Sequence, residues 1–131
     1  MKNDPAGALA NLLQTIADKI GGDIHVGFPA KVVSFDESAM MADVQPLIRT
    51  GSDEPAVVQG ARVLGQRLKL ASGGSEQEYV PVFKKDDLVY VSIADSEIKN
   101  ALTGAVAKPD TSRQHDMNDA VIVGILPSSF K

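Results

Sequence analysis

The side chains able to do chemistry in this 131-residue chain are few and widely spaced. Its two histidines, His25 and His115, lie far apart and outside any HExxH or HxH pattern, so they do not form a zinc-ligand set. Cysteine is absent, which excludes disulfides, thiolate metal sites and a cysteine nucleophile together. His115 with Asp116 and Asp119 has the residue types of a base and its orienting carboxylate, and Ser92 could offer a hydroxyl. No serine, however, sits in a GxSxG strand-turn-helix context. The better reading has Asp116 and Asn118 satisfying backbone donors in a turn before the last strand. The paired carboxylates Asp36-Glu37 and Asp86-Asp87 fall in expected turns, where a solvated surface role is far commoner than acid–base catalysis. Gly60-Ala61-Arg62-Val63-Leu64-Gly65 lacks both the Lys-Ser/Thr of a phosphate loop and the spacing of a dinucleotide fingerprint. The sequence therefore predicts no catalytic residue, no metal site and no cofactor.

The elements that would carry these residues begin with a helix. Asp4 can cap it and Pro5 suits its first position, where the missing N–H costs nothing. Leu9, Leu12, Leu13, Ile16 and Ile20 recur at helical spacing, with Asn11, Gln14, Thr15, Asp18 and Lys19 opposite, and Gly21-Gly22 ends the run. Each of the five aliphatics would contribute about 1.5–3 kcal/mol on full burial, and a helix this short is marginal alone. It must dock, either on its own domain's sheet or on a neighbouring subunit.

Pro29 to Pro46 reads as a β-hairpin. Val32, Val33 and Phe35 supply the first strand, Asp36-Glu37-Ser38 reverse the chain, and the second strand alternates Met41, Asp43, Gln45 with Ala42, Val44, Pro46. Its apolar face points to a core and its polar face, with Lys31, Ser34, Asp43 and Gln45, to solvent or a partner. A strand over 56–63 and a second hairpin turning near Gly65 follow, then an exposed polar loop from Ala71 to Glu78. Tyr79 to Phe83 resumes a strand. Lys84 to Asp87 is a charged turn into Leu88–Ala94, whose near-continuous apolar character predicts a central strand covered on both faces for part of its length. Asp95 or Ser96 can cap a short helix with Ile98, Ala101 and Leu102 on one face and Gly104 at its end; Ala120 to Leu126 is the last strand.

The tally is mainly β: a small antiparallel barrel of the oligonucleotide/oligosaccharide-binding (OB) type, with an N-terminal helix and one short helix between late strands. Other small β-barrels fit the same tally. Residues 1–22 form a helical arm and 23–131 the barrel domain. A hydrophobic fraction of 44% and a charged fraction of 23% are ordinary globular values. A net charge of −4 and an aromatic content of 5% without tryptophan argue against nucleic acid as a partner. No apolar run approaches the ~20 residues of a membrane span, and the first residues are not a secretory signal, so synthesis in the cytoplasm is expected.

Four segments taken in order resemble one family. They are Pro29–Asp36 with Ala42–Ile48, Val80–Phe83 with Lys85–Val91, Ser96–Leu102, and Arg113–Ala120; the most specific pieces are V-Q-P-L-I at 44–48 and R-x-H-D-x-x-D-A at 113–120. Together, over about 100 residues, they resemble the N-terminal OB-fold domain of the central spike, or membrane-piercing, proteins of contractile-tailed phage baseplates. The resemblance implies a non-enzymatic virion protein, trimeric about the tail axis, whose OB domains form a collar joining the tail hub to a β-helical needle. Host-membrane contact would be only indirect. His115, Asp116 and Asp119 would then be structural. Family members usually continue into a needle, often tipped by a histidine-bound metal, whereas this chain stops at Lys131. The expectation is a separate spike-tip polypeptide, or a short protein acting as the plug itself. An OB-type binding module for nucleic acid or a small ligand is the alternative.

Overall fold

The computed structural model describes residues 5–23, 26–49 and 51–130; Asp4, His25 and Lys131 lie outside them. A helix, α1 (Pro5–Asp23), precedes seven strands: β1 (Gly27–Asp36), β2 (Met41–Pro46), β3 (Val58–Val63), β4 (Gln66–Leu68), β5 (Gln77–Tyr79), β6 (Leu88–Ile93) and β7 (Ala120–Ile125). Five of them close into a barrel in the order β1-β2-β3-β7-β6, which is an OB-like arrangement. Every pairing in it is antiparallel except β3 with β7, which run parallel through Arg62↔Val121 and Val63↔Ile122.

The core follows from which side chains the strands turn inward. In β2, Ala42, Val44 and Pro46 are buried while the residues between them are not, as the alternation predicts. In β6, Val89, Val91 and Ile93 are buried but Tyr90 is 44% exposed, so this strand has one solvated face rather than two covered ones. Its outward Leu88, Tyr90 and Ser92 are simply tolerated on a wet face, as in antiparallel sheets generally.

Three strands break strict alternation, each at a register shift. In β1 the shift falls at Val33: Phe28, Ala30 and Val32 point inward before it, and after it the inward parity passes to Phe35. In β3 the extra residue lies between Val58 and Ala61, both buried, and Gly60 there has φ 69°, a left-handed conformation that glycine adopts without a Cβ penalty. In β7, Val123 is the extra residue; Ala120 and Ile122 are buried before it and Ile125 packs on the core after it. A bulge locally bends and twists its strand, which is what closing a five-stranded sheet requires. Phe83 plugs the core from an irregular segment, meeting Phe35 edge-to-face with ring centroids 5.3 Å apart.

Several expected elements differ. The second hairpin does not turn at Gly65, because β2 and β7 occupy the two sides of β3; β4 leaves the barrel and pairs with β5 through Gln66↔Tyr79 and Leu68↔Gln77. Gln77 and Glu78 therefore belong to a strand and not to the exposed loop. The strand expected over Tyr79 to Phe83 ends at Tyr79, the last residue of β5: Pro81 offers no N–H for a ladder, and Val80 and Val82 are each 59% exposed. The helix expected after Asp95 shrinks to one 3-10 turn, Ala101–Thr103, ended by Gly104 at φ 90°. Ahead of it Ser96 bridges to Gln114 and the Ile98 N–H donates to Asp119, so tertiary partners hold the chain out of a longer helix. Its intended apolar face is not buried, with Leu102 at 57% exposure.

Candidate functional site

Sequence chemistry drew attention to His115, Asp116, Asp119 and Ser92, and the fold separates them. Asp116 caps the 3-10 turn Met117–Asp119, its Oδ1 accepting from the Asn118 N–H at 2.8 Å. His115 Nε2 stands 3.8 Å from Asp95 Oδ1, while Ser92 lies within β6 opposite Val121. Asp119 is fully buried, and its partner is Arg113, the first residue of the R-x-H-D-x-x-D-A stretch. Arg113 donates from Nε to Oδ2 and from Nη2 to Oδ1, both at 2.9 Å, and the Ile98 N–H donates to Oδ1 at 3.2 Å.

Arg113 Nη1 also reaches Glu97 Oε2 at 3.3 Å. That second carboxylate is itself buried and accepts from the Asp110 N–H and the Thr111 hydroxyl. Burial alone would raise the Asp119 pKa; the Arg113 hydrogen bonds, the Ile98 N–H and the guanidinium charge outweigh it and hold the carboxyl below its ordinary value. The hydrogen bond to Asp119 in turn holds the Arg113 guanidinium more firmly protonated. Both carboxylates spend their hydrogen bonds and ion pairs within the chain, on Arg113, on the Ile98 and Asp110 N–H groups and on the Thr111 hydroxyl. What they do is staple the long β6–β7 connection to the start of β7. Within the R-x-H-D-x-x-D-A stretch, the arginine and the second aspartate are the pair that meet; Glu97, distant in sequence, gave no signal of its own.

The paired carboxylates in turns also act on their own backbone. Asp36 Oδ1 accepts from the Ser38 N–H, the Ser38 hydroxyl and the Ala39 N–H, and the Ser38 hydroxyl followed by the Ala39 N–H lowers its pKa. Asp87 Oδ2 accepts from the Lys84 N–H, and the backbone of Asp86 and Asp87 bonds to Val32 on β1. Among the described residues no group of three or more His, Asp or Glu side chains is placed to hold a metal ion.

The candidate contact residues divide into two surfaces. On the outer face of the hairpin, Asp43 Oδ1 accepts from the Gly60 N–H at 3.0 Å and its Oδ2 from the Ser34 hydroxyl, while Gln45 Nε2 donates to the Pro46 and Pro55 carbonyls. Lys31 is half-exposed, 3.9 Å from Asp86. These polar groups thus spend most of their hydrogen bonds inside the chain, with Lys31 the freest to reach outward.

On α1 the situation is reversed. Leu9, Leu12, Leu13, Ile16 and Ile20 are between 46% and 58% exposed, so the stripe that should dock is uncovered along its whole length. Docking on the chain's own sheet is not what this fold does.

Comparison with known proteins adds one match. A family model described as the phage protein Gp138 N-terminal domain matches residues 28–124, which span the barrel from β1 into β7. No curated protein matches the chain.

Proposed function

The chain belongs to the Gp138 N-terminal domain family of phage proteins, and from that premise we propose that it is a structural, non-enzymatic part of a contractile-tail baseplate. Three copies would set their barrels around the tail axis, as the OB collar of the central spike or as a plug joining the tail hub to a separate spike-tip polypeptide. It would be made in the host cytoplasm, reside in the virion and meet the host membrane only through the tip. No cofactor, metal or nucleic acid is needed for such a role.

The observation that carries this reading is the uncovered stripe of α1. An isolated helix shorter than about 12–15 residues is marginal in water, and one of 19 gains most of its stability from packing. An exposed row of leucine and isoleucine on such a helix calls for a partner outside the chain. A mechanical collar also requires rigidity more than reactivity. The buried Glu97–Arg113–Asp119 staple provides rigidity by pinning the longest barrel connection.

Light scattering tests the proposal. At micromolar concentration the chain should have three times its 13.8 kDa mass. Removing residues 1–22 should lower the mass toward one chain and leave the β spectrum and cooperative melt in place. A single-chain mass for the intact protein overturns the collar, and loss of folding in the shortened one returns α1 to the barrel's own core.

A further inference from the structure

The apolar residues of α1 follow a tighter rule than amphipathicity. Leu9, Leu13, Ile16 and Ile20 are separated by four, three and four residues, the alternation of d and a positions in a heptad. Ala6 extends the series by one a position. An α-helix with 3.6 residues per turn keeps such a seam on one side only by supercoiling around another helix.

The other positions agree with this register. Asn11 and Asp18 fall at f, Gln14 at b and Thr15 at c, all on the outer side. There they bond to one another, Gln14 Nε2 to Asp18 Oδ1 at 2.9 Å and the Thr15 hydroxyl to the Asn11 carbonyl at 2.9 Å, and so ask nothing of a partner. Three of the four flanking positions are apolar, Leu12 at g and Ala10 and Ala17 at e, and the fourth is Lys19 at g. In a two-stranded coil these flanks face water and usually carry charge, whereas added strands draw them toward the seam. Leu13 at a followed by Ile16 at d also favours more than two strands.

We propose that α1 is one strand of a parallel, in-register three-helix coiled coil made by three copies of this chain. This deepens the trimer reading given above and rests on it for the number of strands. The direction follows from symmetry: copies related by a three-fold axis present the same residues at the same height, so the helices run parallel and each seam residue meets its own counterparts. The helix is about 28 Å long, enough for two full heptads between Ala6 and Ile20. The coil is then a second trimer contact, independent of the barrel surfaces and joined to them only by the short stretch before β1.

The chain has no cysteine, so single thiols can be placed at will. Full-length Ile16→Cys, at d, and Asp18→Cys, at f, are treated with a short bis-maleimide after light scattering has confirmed that each keeps the parent mass. Ile16→Cys should give covalent pairs approaching about two-thirds of the chains, because the third thiol of each ring has no partner; Asp18→Cys should give several-fold less. Leu9→Cys repeats the seam measurement at a second d position, in case one truncation loosens the coil.

A three-chain mass without linkage at Ile16→Cys or Leu9→Cys overturns the coiled coil and leaves the collar standing. Equal linkage at seam and outer positions overturns the heptad register. A single-chain mass for the unmodified protein overturns both readings, and a two- or four-chain mass with seam linkage overturns the three-stranded coil.

Discussion

Replacing Asp119 with asparagine removes one negative charge from the interior and little else in volume. The carboxylate is 0% exposed, receives two 2.9 Å hydrogen bonds from Arg113 and one from the Ile98 N–H. Breaking a buried ion pair by removing one partner costs about 3–5 kcal/mol, because a charge is left uncompensated. Here Arg113 is 30% exposed and keeps Glu97 at 3.3 Å, which places the loss at or just below the low end. About 2–3 kcal/mol is expected for Asp119→Asn, which can still accept from Ile98, and about 1 kcal/mol more for Asp119→Ala, which cannot. The first corresponds to a melting temperature about 10 °C lower, followed by circular dichroism with urea titration beside it.

Acidity supplies the sign. Because the folded Asp119 pKa lies below its ordinary value of 3.8, the wild-type carboxylate contributes its full stabilisation above that value and loses it as pH falls through the folded pKa. Asparagine never has this contribution. The gap between wild type and Asp119→Asn should be constant near neutrality and narrow below about pH 4. A variant within 0.5 kcal/mol of wild type at pH 7, or a gap that widens on acidification, would refute the argument that this ion cluster staples the loop.

Two further predictions concern the bulges. Ile122→Ala should cost about 2–5 kcal/mol in urea unfolding, whereas Val123→Ala, one residue on but 53% exposed, should stay within about 0.5 kcal/mol; comparable losses at both would mean that β7 has no register shift there. Asp43→Ala should cost about 1–2 kcal/mol by orphaning the Gly60 N–H at the β3 bulge, while Asp43→Asn, still an acceptor, should recover most of it. Equal losses from the two Asp43 variants would show that the bulge needs the charge and not the hydrogen bond.

The parts of the fold legible in the sequence are those governed by local rules. The helix from Pro5, the Asp36 turn, the alternation of Ala42, Val44 and Pro46, and the last strand from Ala120 all depend on near neighbours, and all are present, although α1 runs through Gly21-Gly22 to Asp23 and does not end at the glycines. What was not legible depends on residues far apart. Period-two counting fails at Val33, Gly60 and Val123 because barrel closure, not local preference, calls for the bulges. The hairpin expected near Gly65 does not form for a related reason: β3 finds its second neighbour in β7, much later in the chain. The pairing of Arg113 with Glu97 and Asp119 is not legible because an arginine in solvent and one bound to carboxylates look alike until the carboxylates around it are known.

The parallel seam between β3 and β7 also has a consequence in time. It joins Arg62 to Val121 and Val63 to Ile122, the ends of a long loop, so its closure entropy must be met before its contacts form. At about 5–20 residues per second of synthesis, β3 waits seconds with an unpaired edge before β7 is made. An open edge is a template for another chain's strand. In an assembly held by α1, the helix is made before β3 and would bring such open edges together while they are still unpaired. Slow expression or early association should therefore favour strand-swapped oligomers, which only a chain that closes its own barrel before its helix meets a partner can avoid.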